Sequence, residues 1–97
     1  MSFVKINQGK VELRNSWGVL TRYITDRAKS CNINQSQDLI LVTKLNGQVE
    51  LRKSNGMLVR TITNGAEDAK FQGDDILVIK YPKCELRNQW GVLIRKV

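Results

Sequence analysis

Ninety-seven residues with 41% apolar and 26% charged content describe one small globular domain rather than a disordered segment. A chain with no histidine and a net charge of +7 has no Ser-His or Cys-His pair and lacks the usual neutral-pH base, so an enzyme is not expected. No apolar run approaches the ~20 residues of a membrane span and no basic-then-apolar leader opens the chain, so a cytoplasmic protein without a membrane partner is expected.

The first predicted element is Phe3-Val4-Lys5-Ile6, a short β-branched and apolar run that reads as a strand. Asn7-Gln8-Gly9 is a turn, and Val11-Glu12-Leu13-Arg14 alternates apolar and charged residues as a half-buried strand does. Asn15-Ser16-Trp17-Gly18 is a second turn, and residues 19–24 form the next strand. Residues 28–35 alternate weakly, end in a turn signal, and read as one more strand. The order then recurs: strand 40–44, turn Leu45-Asn46-Gly47, strand 49–53, a turn ending in Gly56, strand 57–62 and strand 66–73. It recurs again as strand 76–80, turn Tyr81-Pro82-Lys83, a strand from Cys84, a turn ending in Gly91, and a strand over 92–97.

The recurrence is a sequence repeat. Residues 11–24 read VELRNSWGVLTRYI, residues 49–62 read VELRKSNGMLVRTI and residues 84–97 read CELRNQWGVLIRKV. Stacked copies of one supersecondary unit produce such a pattern, because no unit buries its apolar face alone. The chain divides into one repeat domain, 1–97, with units at approximately 1–27, 28–65 and 66–97. No segment has a helical period, so the fold class is all-β.

Four antiparallel strands in about forty residues match a β-propeller blade, and here the chain resembles the WD-repeat family. In that resemblance residues 66–73 take the innermost strand of a blade and Ile76–Lys80 the second. Val49–Lys53 takes the third strand of the preceding blade. The run Met57-Leu58-Val59-Arg60-Thr61-Ile62 takes its outermost strand. The Gly-His pair and the Trp-Asp dipeptide of the family are absent, with Leu-Arg standing in place of the latter. The resemblance implies three propeller-like blades per chain, the first without an innermost strand. Propellers have four to eight blades, so a homodimer that closes six blades into a ring is expected. A threefold β-trefoil or β-prism monomer is the alternative.

Two sets of arginines recur. Arg14, Arg52 and Arg87 share a face with Glu12, Glu50 and Glu85, which predicts Glu–Arg pairs, including pairs across units. Arg22, Arg60 and Arg95 alternate onto the face of Leu20 and Ile24 and their equivalents, where an arginine must reach the rim or a carboxylate. Trp17 and Trp90 stand at equivalent turn tips, where the middle unit has Asn55. These five, Trp17, Trp90, Arg22, Arg60 and Arg95, are the candidate contacts for a ligand or partner; no catalytic or metal residue and no cofactor is expected. Cys84 stands where the other units have Val11 and Val49, so it reads as a small buried hydrophobe, and Cys31 and Cys84 have no metal-ligand spacing. The expected function is that of a non-enzymatic binding or scaffold module for a protein or small ligand. The alternatives are a lectin that stacks sugars on the two tryptophans, and a nucleic-acid binder that uses its basic surface.

Overall fold

Alternating apolar residues, tight turns and the absence of any helical period produce eleven strands and no helix. The computed structural model describes residues 1–97. The strands are β1 (Phe3–Asn7), β2 (Lys10–Arg14), β3 (Leu20–Thr25), β4 (Ala28–Ile33), β5 (Leu39–Lys44) and β6 (Val49–Lys53). They continue with β7 (Leu58–Thr63), β8 (Asp68–Gln72), β9 (Asp75–Lys80), β10 (Lys83–Arg87) and β11 (Leu93–Lys96). Val19, Met57 and Val92, read above as strand residues, belong instead to the turns.

The strands make three antiparallel sheets, none of them closed: β1-β2-β3, β4-β5-β6-β7 and β8-β9-β10-β11. Each is a meander in which sequence neighbours pair, as short connections require. The sheets stack face to face over two apolar seams. In the first, Val11, Leu13 and Ile24 meet Ile40 and Val42, with Ala28 buried among them. In the second, Leu41, Val49, Leu51 and Ile62 meet Ile76, Val78 and Ala69. Alternation explains how the central sheet serves both seams: Ile40 and Val42 point one way, Leu41 the other. The second unit thus has an upstream face toward the first and a downstream face toward the third, and the same two faces can be named on every unit.

The strand pairing corrects one alignment. By sequence, Phe3 to Ile6 precede the first copy as Leu41 to Lys44 precede the second. By pairing, Phe3 lies opposite Arg14 and Lys5 opposite Glu12, while Ile40 lies opposite Arg52 and Val42 opposite Glu50. Phe3 is therefore the counterpart of Ile40, and Lys5 of Val42. The slip of one residue comes from the turns. Asn7 pairs with Lys10, leaving the two-residue loop Gln8-Gly9 with φ of 52° and 80°, as a type I′ hairpin needs. The second unit uses three residues, Leu45-Asn46-Gly47, closed by Lys44 N–H donating to the Gln48 carbonyl at 2.8 Å.

Candidate functional site

The Glu-Leu-Arg triplet builds the same clamp three times. Residues two apart on a strand share a face, so the glutamate and arginine meet within their own strand. Arg14 Nε and Arg52 Nε donate to Glu12 and Glu50 Oε1 at 2.9 and 3.0 Å, and Arg87 Nε to Glu85 Oε1 at 2.9 Å. The same guanidinium donates to the glycine carbonyl of the following turn: Gly18 at 2.5 Å, Gly56 at 2.8 Å and Gly91 at 2.7 Å. Glu–Arg pairing is as expected, but it lies inside each unit rather than across units. The triplet is a structural device that ties β2, β6 and β10 each to the hairpin turn that follows it.

In the third unit Lys80 adds a second cation, 3.3 Å from Glu85 Oε1. The hydrogen bond from Arg87, helped by Lys80, holds the Glu85 carboxyl below its ordinary value, against the effect of burial. A carboxyl with a lowered native pKa binds its proton first in the unfolded chain. Its contribution is complete above about pH 4.5, the ordinary value, and is lost as pH falls through the lower native value. The urea midpoint is accordingly expected to fall below pH 4.5, and Glu85→Gln to flatten part of that slope while lowering stability at pH 7. An unchanged slope in that variant would show that other groups drive acid unfolding.

Arg22 and Arg60 share the face of Ile24 and Ile62, as alternation placed them, but these arginines and Arg95 do not share the face of Leu20, Leu58 and Leu93. A β-bulge between Leu13 and Arg14 sets Leu20 opposite Arg14 but Arg22 opposite Leu13. An extra residue in one strand turns the following side chains to the other face. The same bulge separates Leu58 from Arg60 and Leu93 from Arg95. Each of these arginines therefore points downstream, while its leucine points upstream. Arg22 crosses the first seam and donates from Nη1 to the carbonyl of Asn55, at the turn tip of the second unit, at 2.8 Å. Arg60 Nε is buried without a hydrogen-bond partner at the second seam. Arg95 is exposed on β11. The three do not converge on one anion site.

Trp17 and Trp90 sit on the two turns equivalent to that of Asn55, and both are exposed, at 86% and 67%. In these turns the residue two before the tryptophan does the work of closure. Asn15 Oδ1 accepts from Trp17 N–H at 3.0 Å and Val19 N–H at 3.1 Å, and Asn88 Oδ1 accepts from Trp90 and Val92 N–H, both at 3.0 Å. The middle unit has Lys53 at that place, and Asn55 at the tip accepts from Met57 N–H at 2.9 Å instead. The tip is thus free of structural duty only where tryptophan occupies it. Trp90 also borders a shallow cavity of about 380 Å³ lined by Asp74, Asp75, Asn88 and Gln89. The sequence reading missed this grouping, which comes from the rim placing the β8–β9 and β10–β11 turns side by side.

The ends of the stack differ from its middle. Ile24 and Ile62 are 7% and 5% exposed, whereas Val97, the equivalent residue, is 59% exposed. Leu86 and Cys84 are half-buried where Leu13, Leu51, Val11 and Val49 are buried, so Cys84 is not the fully buried hydrophobe its repeat position implied. At the other end Phe3 is exposed where Ile40 and Ile76 are wholly buried. Cys31 packs against the first seam, and burial pushes its thiol up to about 11, so it is protonated and unreactive at neutral pH. No group of three or more metal-ligating side chains comes together, and no helix is long and apolar enough to cross a membrane.

No family model matches the chain, and no curated protein matches it either.

Proposed function

We propose that this chain is a non-enzymatic binding or scaffold module of the WD-repeat-like propeller type, three units forming half of a six-unit ring completed by a second copy. One observation carries most of the weight: apolar positions that are sealed at both internal seams are open at the two ends of the stack. Val97 at 59% exposure against Ile62 at 5% is the sharpest case. A sheet face left apolar and open invites association, and a two-fold pairing of first unit with third covers both ends together. Binding then falls to the turns, since the strands and the Glu-Leu-Arg clamps are committed to holding the fold. Thermal melts over a hundredfold range of protein concentration test the closure. A melting point that rises with concentration supports it, because folding and association are then coupled. A constant melting point with the mass of a single copy would favour a threefold monomer.

The lectin reading is favoured by the grouping of Trp90 with Asp74, Asp75 and Asn88, an aromatic platform beside hydrogen-bonding groups. A glycan array at physiological salt, run with the native chain and with Trp90→Ala, separates it from a protein-binding scaffold. Loss of a sugar signal in the variant supports the lectin; no sugar signal in either chain removes it. The basic surface remains a source of phosphate attraction, and its signature is affinity that falls steeply with salt.

A further inference from the structure

Each internal seam is assembled from the same parts. The glycine after a turn tip lies against the backbone at the end of the preceding unit's outer strand. A Cβ on Gly56 would stand 3.7 Å from the Ile24 carbonyl oxygen, and one on Gly91 would stand 3.0 Å from that of Ile62. A lysine crosses to a threonine, Lys44 Nζ to Thr25 Oγ1 at 3.0 Å and Lys80 Nζ to Thr63 Oγ1 at 2.8 Å. At the first seam the arginine of the outer strand also holds the carbonyl of the next turn tip.

Of two of these parts, the glycine contact and the arginine link, one half is left over at each end of the chain. Gly18 has the φ of its equivalents, +79°, yet a Cβ there would meet nothing within 4 Å. Arg95 is the exposed counterpart of Arg22, and Val97 that of Ile24 and Ile62. We infer that these halves meet between two copies: Arg95 donates to the partner's Trp17 backbone carbonyl, while the partner's Gly18 lies against the backbone at Val97. This rests on the ring reading above and says which residues make its joint. The occupant is a second copy because the internal seams already show these surface types fitting one another.

The joint is not a full copy of the internal seams. Lys5 stands where the seams have Val42 and Val78, and Asn7 where they have Lys44 and Lys80. The apolar contact is smaller and the lysine–threonine link is absent. Weight therefore shifts to the arginine and to the close approach at the glycine, and the joint is the weakest of the three.

The experiment is sedimentation equilibrium of the full chain over a hundredfold concentration range, with circular dichroism to verify the fold. Arg95→Ala alters an exposed side chain and is expected to weaken two-copy association at least about tenfold, the loss of one charge-assisted hydrogen bond per joint. Gly18→Leu is expected to leave single copies. Gly73→Leu is the control, since Gly73 also has positive φ, +61°, and open space around it, but lies at no seam. If Gly18→Leu does not fold, Arg95→Ala decides alone. A native chain that pairs, with both variants pairing as tightly, would overturn this joint and leave the ring standing. A native chain that stays single at every concentration would overturn both.

Discussion

Truncating Leu51 to alanine is expected to cost roughly 2–5 kcal/mol, the range for a large buried aliphatic side chain removed from a core that cannot fully collapse around the gap. Leu51 is 1% exposed and sits among Leu41, Val49, Ile62, Ile76 and Val78, drawn from two sheets. Each of those sheets is stiffened by its own backbone ladder, so the gap closes only in part. Domains of this size have a total stability toward the low end of about 5–15 kcal/mol, so the loss is a large share of the whole. Urea unfolding measures it. Leu86→Ala is the informative companion, because Leu86 has the same repeat position but is half-buried in one chain. In a closed ring its cost rises toward that of Leu51 without reaching it, because Lys5 stands in place of an apolar partner, and in a lone chain it is a small fraction of it. A loss below about 1 kcal/mol at Leu51 would contradict the seam as the main source of stability.

Arg14→Ala is expected to cost about 3–5 kcal/mol, the usual result of leaving a buried charge without its partner. The Glu12 side chain is only 3% exposed, and Arg14 Nη2 lies 2.7 Å from its Oε1. The substitution also removes the bond to the Gly18 carbonyl, so the hairpin turn loosens with the ion pair. Pairing Arg14→Ala with Glu12→Gln is expected to recover much of the loss, since the uncompensated charge goes and only the turn contact stays missing. A double-mutant cycle by urea unfolding separates the two parts. A loss within about 1 kcal/mol for Arg14→Ala would place the pair with ordinary surface salt bridges.

That the glutamate and arginine of Glu-Leu-Arg share a face was legible in the sequence, because residues two apart on a strand do so without further information, whereas the bond from the arginine to the turn glycine was not. The strands and the stacking of sheets were legible too, as they follow from the repeat and from alternation at Val11 and Leu13. What sequence could not show was where alternation breaks. The bulge between Leu13 and Arg14 leaves no mark in composition, yet it decides that Arg22 faces the next unit while Leu20 faces the open side of the first sheet. The first unit was misaligned by one residue for a related reason. Gln8-Gly9 and Leu45-Asn46-Gly47 both read as turns, and only the pairing shows that one is shorter. The cavity beside Trp90 was hidden because Asp74 and Asn88 are far apart along the chain and meet only through the rim. The exchange of tryptophan for asparagine at the turn tips was visible, but its cause, the switch of the closing amide from Asn15 and Asn88 to Asn55, was not.

Closure by a second copy is the central claim, and light scattering coupled to size exclusion tests it most directly. The ring predicts twice the 11.1 kDa of one chain at micromolar concentration, with association burying more than ~2,000 Å² as obligate interfaces do. A mass of 11.1 kDa that holds across a hundredfold range of concentration would contradict it.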